Sequence, residues 1–163
     1  MTSIRIRPTT VEDRSSILDI LHRTSMFTPA EIDVALELVD AWLNHPEQKD
    51  YILYTADREG KVLGYVCYGP TPATEGTFDL YWIAVDPLYQ RCGIGKQLLL
   101  FTEEVIRKAG GRLIIIETSS QEKYAPTRSF YERNGYTLEA RIKDFYREGD
   151  DRLIYVKRTQ SLS

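Results

Sequence analysis

Hydrophobic and polar positions follow two periods along this chain, and these periods predict where its strands and helices lie. Residues 78–85 are aromatic and β-branched and are followed by a proline, which is typical of a strand. The next apolar positions recur at helical spacing until Gly110-Gly111 ends the pattern. A continuous apolar run at 113–116 predicts a parallel strand that is covered on both faces. The middle of the chain is therefore a predicted strand–loop–helix–strand unit.

The same periods on either side of this unit complete the predicted order of elements, β-α-α-β-β-β-α-β-α-β-β. Thr28, Pro29 and Glu31 give the second helix the signals of a capping box. Polar residues at 119–126 predict a loop, and residues 147–151 predict the turn between the last two strands. Strands are predicted at 4–7, 51–56, 62–68, 78–85, 113–116, 136–146 and 153–158. Helices are predicted at 11–22, 29–43, 94–109 and 127–134.

Length and composition place the chain among ordinary globular domains. Its 163 residues fit one domain, spanning 1–163, and 42% hydrophobic with 28% charged residues is usual for soluble proteins. A net charge of −3 gives no electrostatic footprint for nucleic acid, and no apolar run is long enough for a membrane span. The N-terminus lacks a signal-peptide core, and the two cysteines, Cys67 and Cys92, suit a reducing cytosol. We therefore expect a cytoplasmic protein.

The start of the third predicted helix has the features of an anion-binding site. Gly93-Ile94-Gly95 lacks a Cβ at two positions, so backbone N–H groups can approach a phosphate, which the helix dipole also favours. A nucleotide P-loop would need Gly at 90 and Ser or Thr at 97, where the chain has Gln90 and Gln97. A dinucleotide site would need a small residue in place of Leu98, although Glu117 lies at a suitable distance to bind a ribose. The choice between these ligands therefore depends on the residues that flank Gly93-Ile94-Gly95.

Those flanks resemble the pyrophosphate loop of the GNAT superfamily of N-acyltransferases. The Gln/Arg-x-x-Gly-x-Gly/Ala pattern matches Gln90-Arg91-Cys92-Gly93-Ile94-Gly95, and Val85-Asp86-Pro87 precedes it. Residues 129–136 are similar to the Phe-Tyr-Glu-x-x-Gly-Phe/Tyr signature that follows the cofactor loop in this superfamily. The predicted element order is also that of the GNAT fold, an α/β fold (α+β in its mixed sheet) with helices on both sides of the sheet. The resemblance covers essentially the whole chain and implies acetyl-CoA as the cofactor.

The resemblance also implies candidate catalytic residues. An alkylamine acceptor has a pKa of ~10.4, so about one molecule in a thousand is neutral at pH 7 and a general base is needed. Family members carry this base as a carboxylate on the strand before the loop, where Asp79 stands, and Glu117 is the second candidate. Alternation along the strand places Asp79 on one face with Tyr81 and Ile83. Tyr131 matches the family tyrosine that donates a proton to the cofactor sulfur.

Coenzyme contacts are implied for backbone groups on the strand and the loop. Unpaired groups near Val85, where the two parallel strands are expected to separate, would hold the pantetheine arm and stabilise the oxyanion. Cys92 stands where family members often carry a basic residue. No cluster has metal-ligand spacing, so no metal is expected. The predicted cofactor-binding residues are Ile83, Ala84, Val85, Gln90, Arg91, Cys92, Gly93, Ile94, Gly95, Lys96 and Tyr131.

Together these features predict an acetyl-CoA-dependent N-acetyltransferase. It would move an acetyl group to a primary amine by direct attack in a ternary complex and release CoA. The acceptor is expected to be a small molecule or a peptide, bound near the first two helices and the loop at 148–150, with Phe27, Trp42 and Tyr146 as candidate contacts. The alternatives are a non-catalytic acyl-CoA sensor or partner-binding domain on the same scaffold and, third, a nucleotide- or dinucleotide-binding protein. Dimerisation is common in the superfamily, so a homodimer is possible.

Overall fold

The structure is a computed structural model that describes residues 3–159. The predicted order of strands and helices is confirmed in these residues, and short 3₁₀ turns lie at Val11–Asp13, Pro87–Tyr89 and Glu122–Tyr124. The helices are α1 (Arg14–Arg23), α2 (Pro29–Asn44), α3 (Ile94–Lys108) and α4 (Ala125–Arg133). The strands are β1 (Arg5–Pro8), β2 (Ile52–Arg58), β3 (Lys61–Pro70), β4 (Thr77–Val85), β5 (Leu113–Ser119), β6 (Thr137–Arg147) and β7 (Asp150–Arg158).

The seven described strands form one mixed sheet in the order β1-β2-β3-β4-β5-β7-β6. Neighbouring strands are antiparallel except β4 and β5, which are parallel. Parallel neighbours require a crossover connection, and here α3 supplies it. The loop that leads into α3 therefore begins at the carboxyl end of β4, beside the parallel pair.

Two hydrophobic cores cover the two faces of the sheet. One core packs α3 and α4 against the sheet, and its helical members include Ile94, Leu98 and Tyr131. The other core packs α1 and α2 against the opposite face, with Ile17 and Val39 among its members. Membership in these two cores assigns the side chains of each strand to a face. In the described part of the chain, no helix combines the length and apolar character that a membrane span requires.

The start of α2 confirms the predicted capping box. The Thr28 hydroxyl accepts a hydrogen bond from the Glu31 amide at 3.2 Å, and the Glu31 carboxylate accepts one from the Thr28 amide at 3.2 Å. Pro29 occupies the first turn, where a missing N–H costs nothing. These contacts satisfy two backbone donors that the helix itself leaves without a partner.

The last strand begins earlier than its hydrophobic pattern predicts. Asp150 and Asp151, predicted as part of a turn, are the first residues of β7 and are buried. The Asp151 carboxylate accepts hydrogen bonds from Arg141 at 2.5 Å and from the Asp144 amide at 2.9 Å. Charged residues indicate a turn when their side chains are hydrated. Here the two carboxylates are buried, and their hydrogen-bond partners are other residues of the protein.

Candidate active site

The loop that leads into α3 has the backbone shape of an anion-binding site. Arg91 and Gly93 have left-handed backbone conformations, with φ of 67° and 80°, and Cys92 between them does not. Changes of handedness in succession turn neighbouring N–H groups into one concavity that can hold an anion. A left-handed φ strains the backbone of Arg91, because this residue carries a side chain. Strained backbone conformations of this kind cluster at functional sites. The concavity lies at the positive end of the 15-residue helix α3.

The backbone of this loop is exposed to solvent, and the loop is anchored to the hydrophobic core. Ile94 is 1% exposed and belongs to the α3/α4 core, so only its backbone is free for a ligand. A Cβ on Gly93 would meet nothing within 4 Å, whereas one on Gly95 would lie 3.6 Å from the Phe130 ring and 3.7 Å from Val85. Phe130 belongs to the second sequence motif, so the two motifs meet at Gly95. The predicted loop residues Gln90, Arg91, Cys92, Gly93 and Lys96 are exposed.

β4 and β5 separate soon after their ladder begins. Residues 77–79 of β4 pair with residues 113–115 of β5, but β4 continues to Val85 and β5 to Ser119. The described part of the chain therefore offers no strand partner to this edge of β4 beyond Asp79. The separation was expected near Val85, and it begins earlier. The predicted residues Ile83, Ala84 and Val85 all lie on the open edge.

A β-bulge in β4 decides which face each residue of this strand occupies. The register between β3 and β4 skips Tyr81, which is the extra residue of the bulge. Trp82 packs in the α1/α2 core, and Ile83 packs in the α3/α4 core. The expectation that Asp79, Tyr81 and Ile83 share one face is therefore wrong for Ile83, because the bulge shifts the alternation.

Asp79 lies on the α1/α2 face and is held by two hydroxyl groups. Its neighbours Phe78 and Leu80 belong to the α3/α4 core, so its side chain points the other way. Asp79 Oδ2 accepts hydrogen bonds from Thr71 Oγ1 at 2.7 Å and from the Tyr81 hydroxyl at 3.4 Å. Burial, followed by the charge of Asp79, raises the pKa of Tyr81 above its ordinary value. Tyr81 therefore stays protonated and remains a donor to this carboxylate.

Glu117 lies on the same face of the sheet and is ion-paired. Its neighbour Ile116 faces the α3/α4 core, which directs Glu117 to the α1/α2 side. Its carboxylate bonds to Arg152 of β7, whose guanidinium carbon lies 5.0 Å from the centre of the Phe145 ring. Sequence reasoning missed Arg152, because only the pairing of β5 with β7 brings it beside Glu117. Both candidate carboxylates thus lie on the α1/α2 face.

Tyr131 lies on the opposite face, within the α3/α4 core. It is 6% exposed, and its ring lies 5.3 Å from that of Phe130 and 5.7 Å from that of Tyr136. Burial raises its pKa, so the phenol keeps its proton at neutral pH. Among the described residues, none is hydrogen-bonded to its hydroxyl. The opening between β4 and β5 joins the face of Tyr131 to the face of the carboxylates.

The loop after β5 uses its polar side chains to hold β7. The buried Asp150 carboxylate accepts hydrogen bonds from Ser119 Oγ, from Gln121 Nε2 at 2.8 Å and from Arg147 Nη1 at 2.5 Å. Arg128 donates to the carbonyl oxygens of Ser119 and Gln121 at 2.8 and 2.9 Å. The polar side chains of this loop therefore already have partners within the protein.

An acidic and aromatic corner lies where α2, β5 and the β6–β7 turn approach each other. Burial, then the charges of Glu31 and Asp150, raises the pKa of Tyr124 to about 12. Burial and then Glu117 raise the pKa of Tyr146 above its ordinary value. Three carboxylates and two arginines, Arg147 and Arg152, therefore lie near the two tyrosines of this corner. The sequence had indicated Tyr146 but not Tyr124, which no local pattern distinguishes from a packing aromatic.

Trp42, also considered as a contact for an acceptor, has a structural position. Its indole nitrogen donates to the Thr9 carbonyl oxygen at 2.9 Å, and its ring packs in the α1/α2 core. In the same core, Phe27 lies 5.0 Å from Trp82 in an edge-on arrangement. Across residues 3–159, no three His, Cys, Asp or Glu side chains lie together as metal ligands would.

Comparisons with known proteins agree with this geometry. The sequence model of the acetyltransferase (GNAT) family matches residues 16–136. A curated relative, S-(2-succino)cysteine N-acetyltransferase of Bacillus subtilis, is 28% identical over 87 residues, which is 51% of this chain and 53% of that enzyme. The match therefore spans about half the length of that relative.

Solved structures carry the same fold. A protein described as a GNAT-family acetyltransferase, from Desulfovibrio desulfuricans, is 47% identical, with a TM-score of 0.90 and coverage of 96% of this chain and 99% of that one. The PaiA N-acetyltransferase of Thermoplasma acidophilum in complex with coenzyme A is 21% identical, with a TM-score of 0.71 over 96% and 99% of the two chains. The predicted α/β fold with its mixed sheet is confirmed. The family model covers well over half of the chain, and the chain belongs to the acetyltransferase (GNAT) family.

Proposed function

We propose that the protein is an acetyl-CoA-dependent N-acetyltransferase that acetylates a primary amine by direct attack in a ternary complex. The observation that carries the proposal is the left-handed backbone of Arg91 and Gly93 beside the open edge of β4. These two features give one continuous surface of backbone groups, first for an anion and then for an extended arm. Membership in the GNAT family supports acyl-CoA as the ligand.

The residues present fit the coenzyme. N–H groups of residues 91–96 would hold its diphosphate, and the space in front of Gly93 is free of any atom that a Cβ would meet. Backbone groups of Ile83, Ala84 and Val85 would bond the pantetheine arm along the open edge of β4. When bound, acetyl-CoA supplies the thioester whose acetyl group is transferred. An N–H near Val85 would donate to the oxygen that becomes negative in the transition state.

Tyr131 is proposed as the general acid. Its raised pKa keeps the phenolic proton in place across the physiological range. Its hydroxyl has no acceptor among the described residues, so the proton is free for a departing thiolate. Its place beside Phe130, which touches the loop at Gly95, keeps it close to the proposed coenzyme surface.

Asp79 is proposed as the general base, directly or through one water, with Glu117 as the second candidate. The Asp79 carboxyl is oriented by the hydroxyl groups of Thr71 and Tyr81, and Asp79 lies at the last paired position before the strands separate. Glu117 lies on the same face but is bonded to Arg152, which competes for its lone pairs. On this assignment the base takes the amine proton on one face of the sheet and Tyr131 gives a proton on the other.

The acceptor would enter from the α1/α2 face, past the acidic corner of Glu31, Glu117 and Asp150. Arg152 and Arg147 offset the charges of Glu117 and Asp150, so among the described residues Glu31 is the carboxylate of this corner that favours a cationic amine before it loses its proton. Tyr124 and Tyr146 add aromatic surface, which suits either a small-molecule amine or the amino group of a peptide. The name of the Bacillus subtilis relative adds S-(2-succino)cysteine to the compounds that an acceptor screen should contain.

Calorimetric titration with CoA and with acetyl-CoA tests the cofactor assignment. We expect saturable binding of both ligands, and no heat at concentrations on the order of hundreds of micromolar would overturn the proposal. Release of free thiol with a panel of amines, amino acids and peptides then tests the transfer reaction.

A second candidate function is a non-catalytic acyl-CoA sensor. The observation that favours it is that both candidate bases already have partners, Asp79 with two hydroxyl groups and Glu117 with Arg152. A sensor would bind acetyl-CoA without releasing thiol for any acceptor in the panel. Acceptor-dependent thiol release would exclude this function.

A further inference from the structure

The segment that connects α1 to α2 touches both sides of the opening between β4 and β5. We call residues 24–28 the α1–α2 connector. At its β4 side, Phe27 packs edge-on against Trp82 with ring centres 5.0 Å apart. At its β5 side, the Met26 carbonyl oxygen accepts hydrogen bonds from the Tyr124 hydroxyl and from Lys123 Nζ, both at 3.2 Å. The connector therefore spans the face from which the acceptor is proposed to enter.

The residue immediately before the connector is bonded to Asp86, which lies between β4 and the turn that leads to residues 90–96. Arg23, the last residue of α1, donates from Nη1 and Nη2 to the two carboxylate oxygens of Asp86, at 2.7 and 2.9 Å. Arg23 Nε is also bonded to Asp19 at 2.8 Å, so the guanidinium is fixed on its own helix. A bidentate arginine–carboxylate pair defines both distance and orientation.

Asp86 connects this ion pair to the loop at residues 90–96. It is 1% exposed, follows directly after β4, and accepts a hydrogen bond from the Leu88 amide at 3.0 Å. Its own amide donates to the Leu63 carbonyl oxygen at 2.8 Å, and its carbonyl oxygen accepts from the Tyr89 amide at 2.8 Å. The path of the chain from β4 into residues 90–96 is thus set by the groups of one buried aspartate.

We propose that Arg23 is a positioning residue that fixes the coenzyme loop through Asp86 and ties it to the α1–α2 connector. The inference rests on the proposed function, because it assumes that residues 90–96 hold the diphosphate. Loss of Arg23 leaves a buried carboxylate without its bidentate partner. Asp86 then has to turn toward water, and the 3₁₀ turn that it caps loses its fixed direction. The backbone concavity at Arg91 and Gly93 is then no longer held in its binding shape.

The chain offers a matched control for this proposal. Arg14, on the same helix, makes an equally bidentate pair with Asp40 of α2, at 2.6 and 2.9 Å. That pair joins α1 to α2 and does not touch the loop. Arg14→Gln therefore reports the effect on the fold of losing one bidentate pair on α1, at a carboxylate that is half-exposed where Asp86 is buried.

The test compares the wild type, Arg23→Gln and Arg14→Gln by calorimetry with CoA and by steady-state kinetics. We expect Arg23→Gln to weaken CoA binding and to raise KM for acetyl-CoA by roughly tenfold, as for the loss of one charge-assisted contact that orders a loop. Arg14→Gln should leave both constants within about twofold of the wild type. Equal CoA affinity in Arg23→Gln and the wild type, or equal losses in both variants, overturns the inference.

Two additions keep the test decisive. If Arg23→Gln does not fold, Arg23→Lys, which keeps the charge but not the fork, is expected to lose about threefold in CoA affinity, and wild-type affinity in that variant overturns the inference. If Arg23→Gln folds, CoA binding is also measured for Asp86→Asn and for the variant that carries both substitutions. The double variant should bind CoA no more weakly than whichever single variant has the lower CoA affinity. Additive losses in that double variant also overturn it. A wild type that does not bind CoA instead overturns the proposed function itself.

Discussion

Two buried tyrosines in ring contact, Tyr131 and Tyr136, differ in what their hydroxyl groups meet. The Tyr136 hydroxyl donates to Glu103 at 2.8 Å, whereas no described residue bonds to the Tyr131 hydroxyl. A hydroxyl that is nearly buried and contributes no internal bond adds little to folding. An unbonded hydroxyl of this kind fits the proposed role of Tyr131 as proton donor to the departing thiolate.

The first prediction uses this pair as its own control. Tyr131→Phe should lower kcat by about 10²-fold, since it removes the proton donor, and should leave CoA affinity and the unfolding midpoint nearly unchanged. Tyr136→Phe should keep its kcat but lose roughly 1.5–3 kcal/mol of unfolding free energy, the value of a hydrogen bond to a charged group. Full turnover in Tyr131→Phe, when chemistry is rate-limiting, would contradict the acid assignment. Kinetics and urea denaturation of both variants provide the measurement.

The second prediction concerns Gly95. Glutamate at this position should abolish CoA binding, because its charge and volume enter the proposed diphosphate site. Gly95→Ala should fold and bind normally, since its Cβ would lie at ordinary contact distance, 3.6 Å, from Phe130. Calorimetry with CoA on both variants distinguishes the two outcomes. Retained binding in Gly95→Glu would move the diphosphate away from this loop.

At the scale of single residues, the sequence predicts the glycine loop but not the partners of the charged side chains. The loop is visible because Gly93 and Gly95 lie close together in one local pattern. Arg152 meets Glu117, and Arg23 meets Asp86, only after strands and helices have assembled. A distant ion pair leaves no periodic trace in the chain, so these residues could not be assigned in advance.

At the scale of elements, α2 provides a third prediction. Thr28→Ala removes the oxygen that accepts the Glu31 amide and should cost about 1 kcal/mol of unfolding free energy. Thr28→Ser keeps that oxygen and should cost much less. Urea denaturation of the two variants gives the comparison. Equal stability of Thr28→Ala and the wild type would mean that the cap contributes nothing in this context.

Element boundaries were predicted well where caps and turns are local, as at Thr28 and Gly110. They were predicted less well where tertiary contacts decide. The bulge at Tyr81 cannot be read from its own strand, because a bulge is defined by the register against β3. The start of β7 at Asp150 likewise depends on Ser119 and Gln121, which lie in another part of the chain.

At the scale of the whole molecule, buried aspartates with arginine partners make stability depend on acid. Arg23 lowers the pKa of Asp86 below its ordinary 3.8. Burial, the largest single influence, would raise the pKa of Asp13 and Asp57, but the hydrogen bonds and charges of their neighbours, with Arg7 first among them, together outweigh it, and both pKa values are lowered from 3.8. A carboxyl with a lowered folded-state pKa contributes stability that is present above its ordinary pKa and is lost as the pH falls through the folded value.

The fourth prediction follows from these signs. The melting temperature should be nearly constant from pH 7 to about 5 and should fall as the pH drops below about 4. Arg7→Gln should melt lower than the wild type at pH 7, and the difference should shrink in acid, because Arg7 serves both Asp13 and Asp57. Thermal melts followed by circular dichroism measure both effects. A melting temperature that does not fall between pH 5 and 3 would contradict the prediction.

The order of the strands in the sheet is a feature of the whole molecule that the sequence predicts only in part. Alternating periods predicted seven strands and four helices, and the resemblance carried by two motifs predicted the fold. The periods mark where the strands lie but do not say that β7 inserts between β5 and β6. The proximity of Gly95 to Phe130 was not predicted, because the two motifs lie far apart in the sequence.

The early separation of β4 from β5 has a consequence for isotope labelling in solution. Amides of residues 80–85 that point away from β3 have no strand partner in the described chain, so in D₂O they should take up deuterium quickly. Amides of residues 54–57 of β2, which pair with both β1 and β3, should be slow. Added CoA should slow uptake at residues 80–85 and leave β2 unchanged, because an arm seated on the open edge brings its own carbonyl acceptors. In the free protein, this edge of β4 is therefore a row of backbone groups that have no strand partner in the described chain.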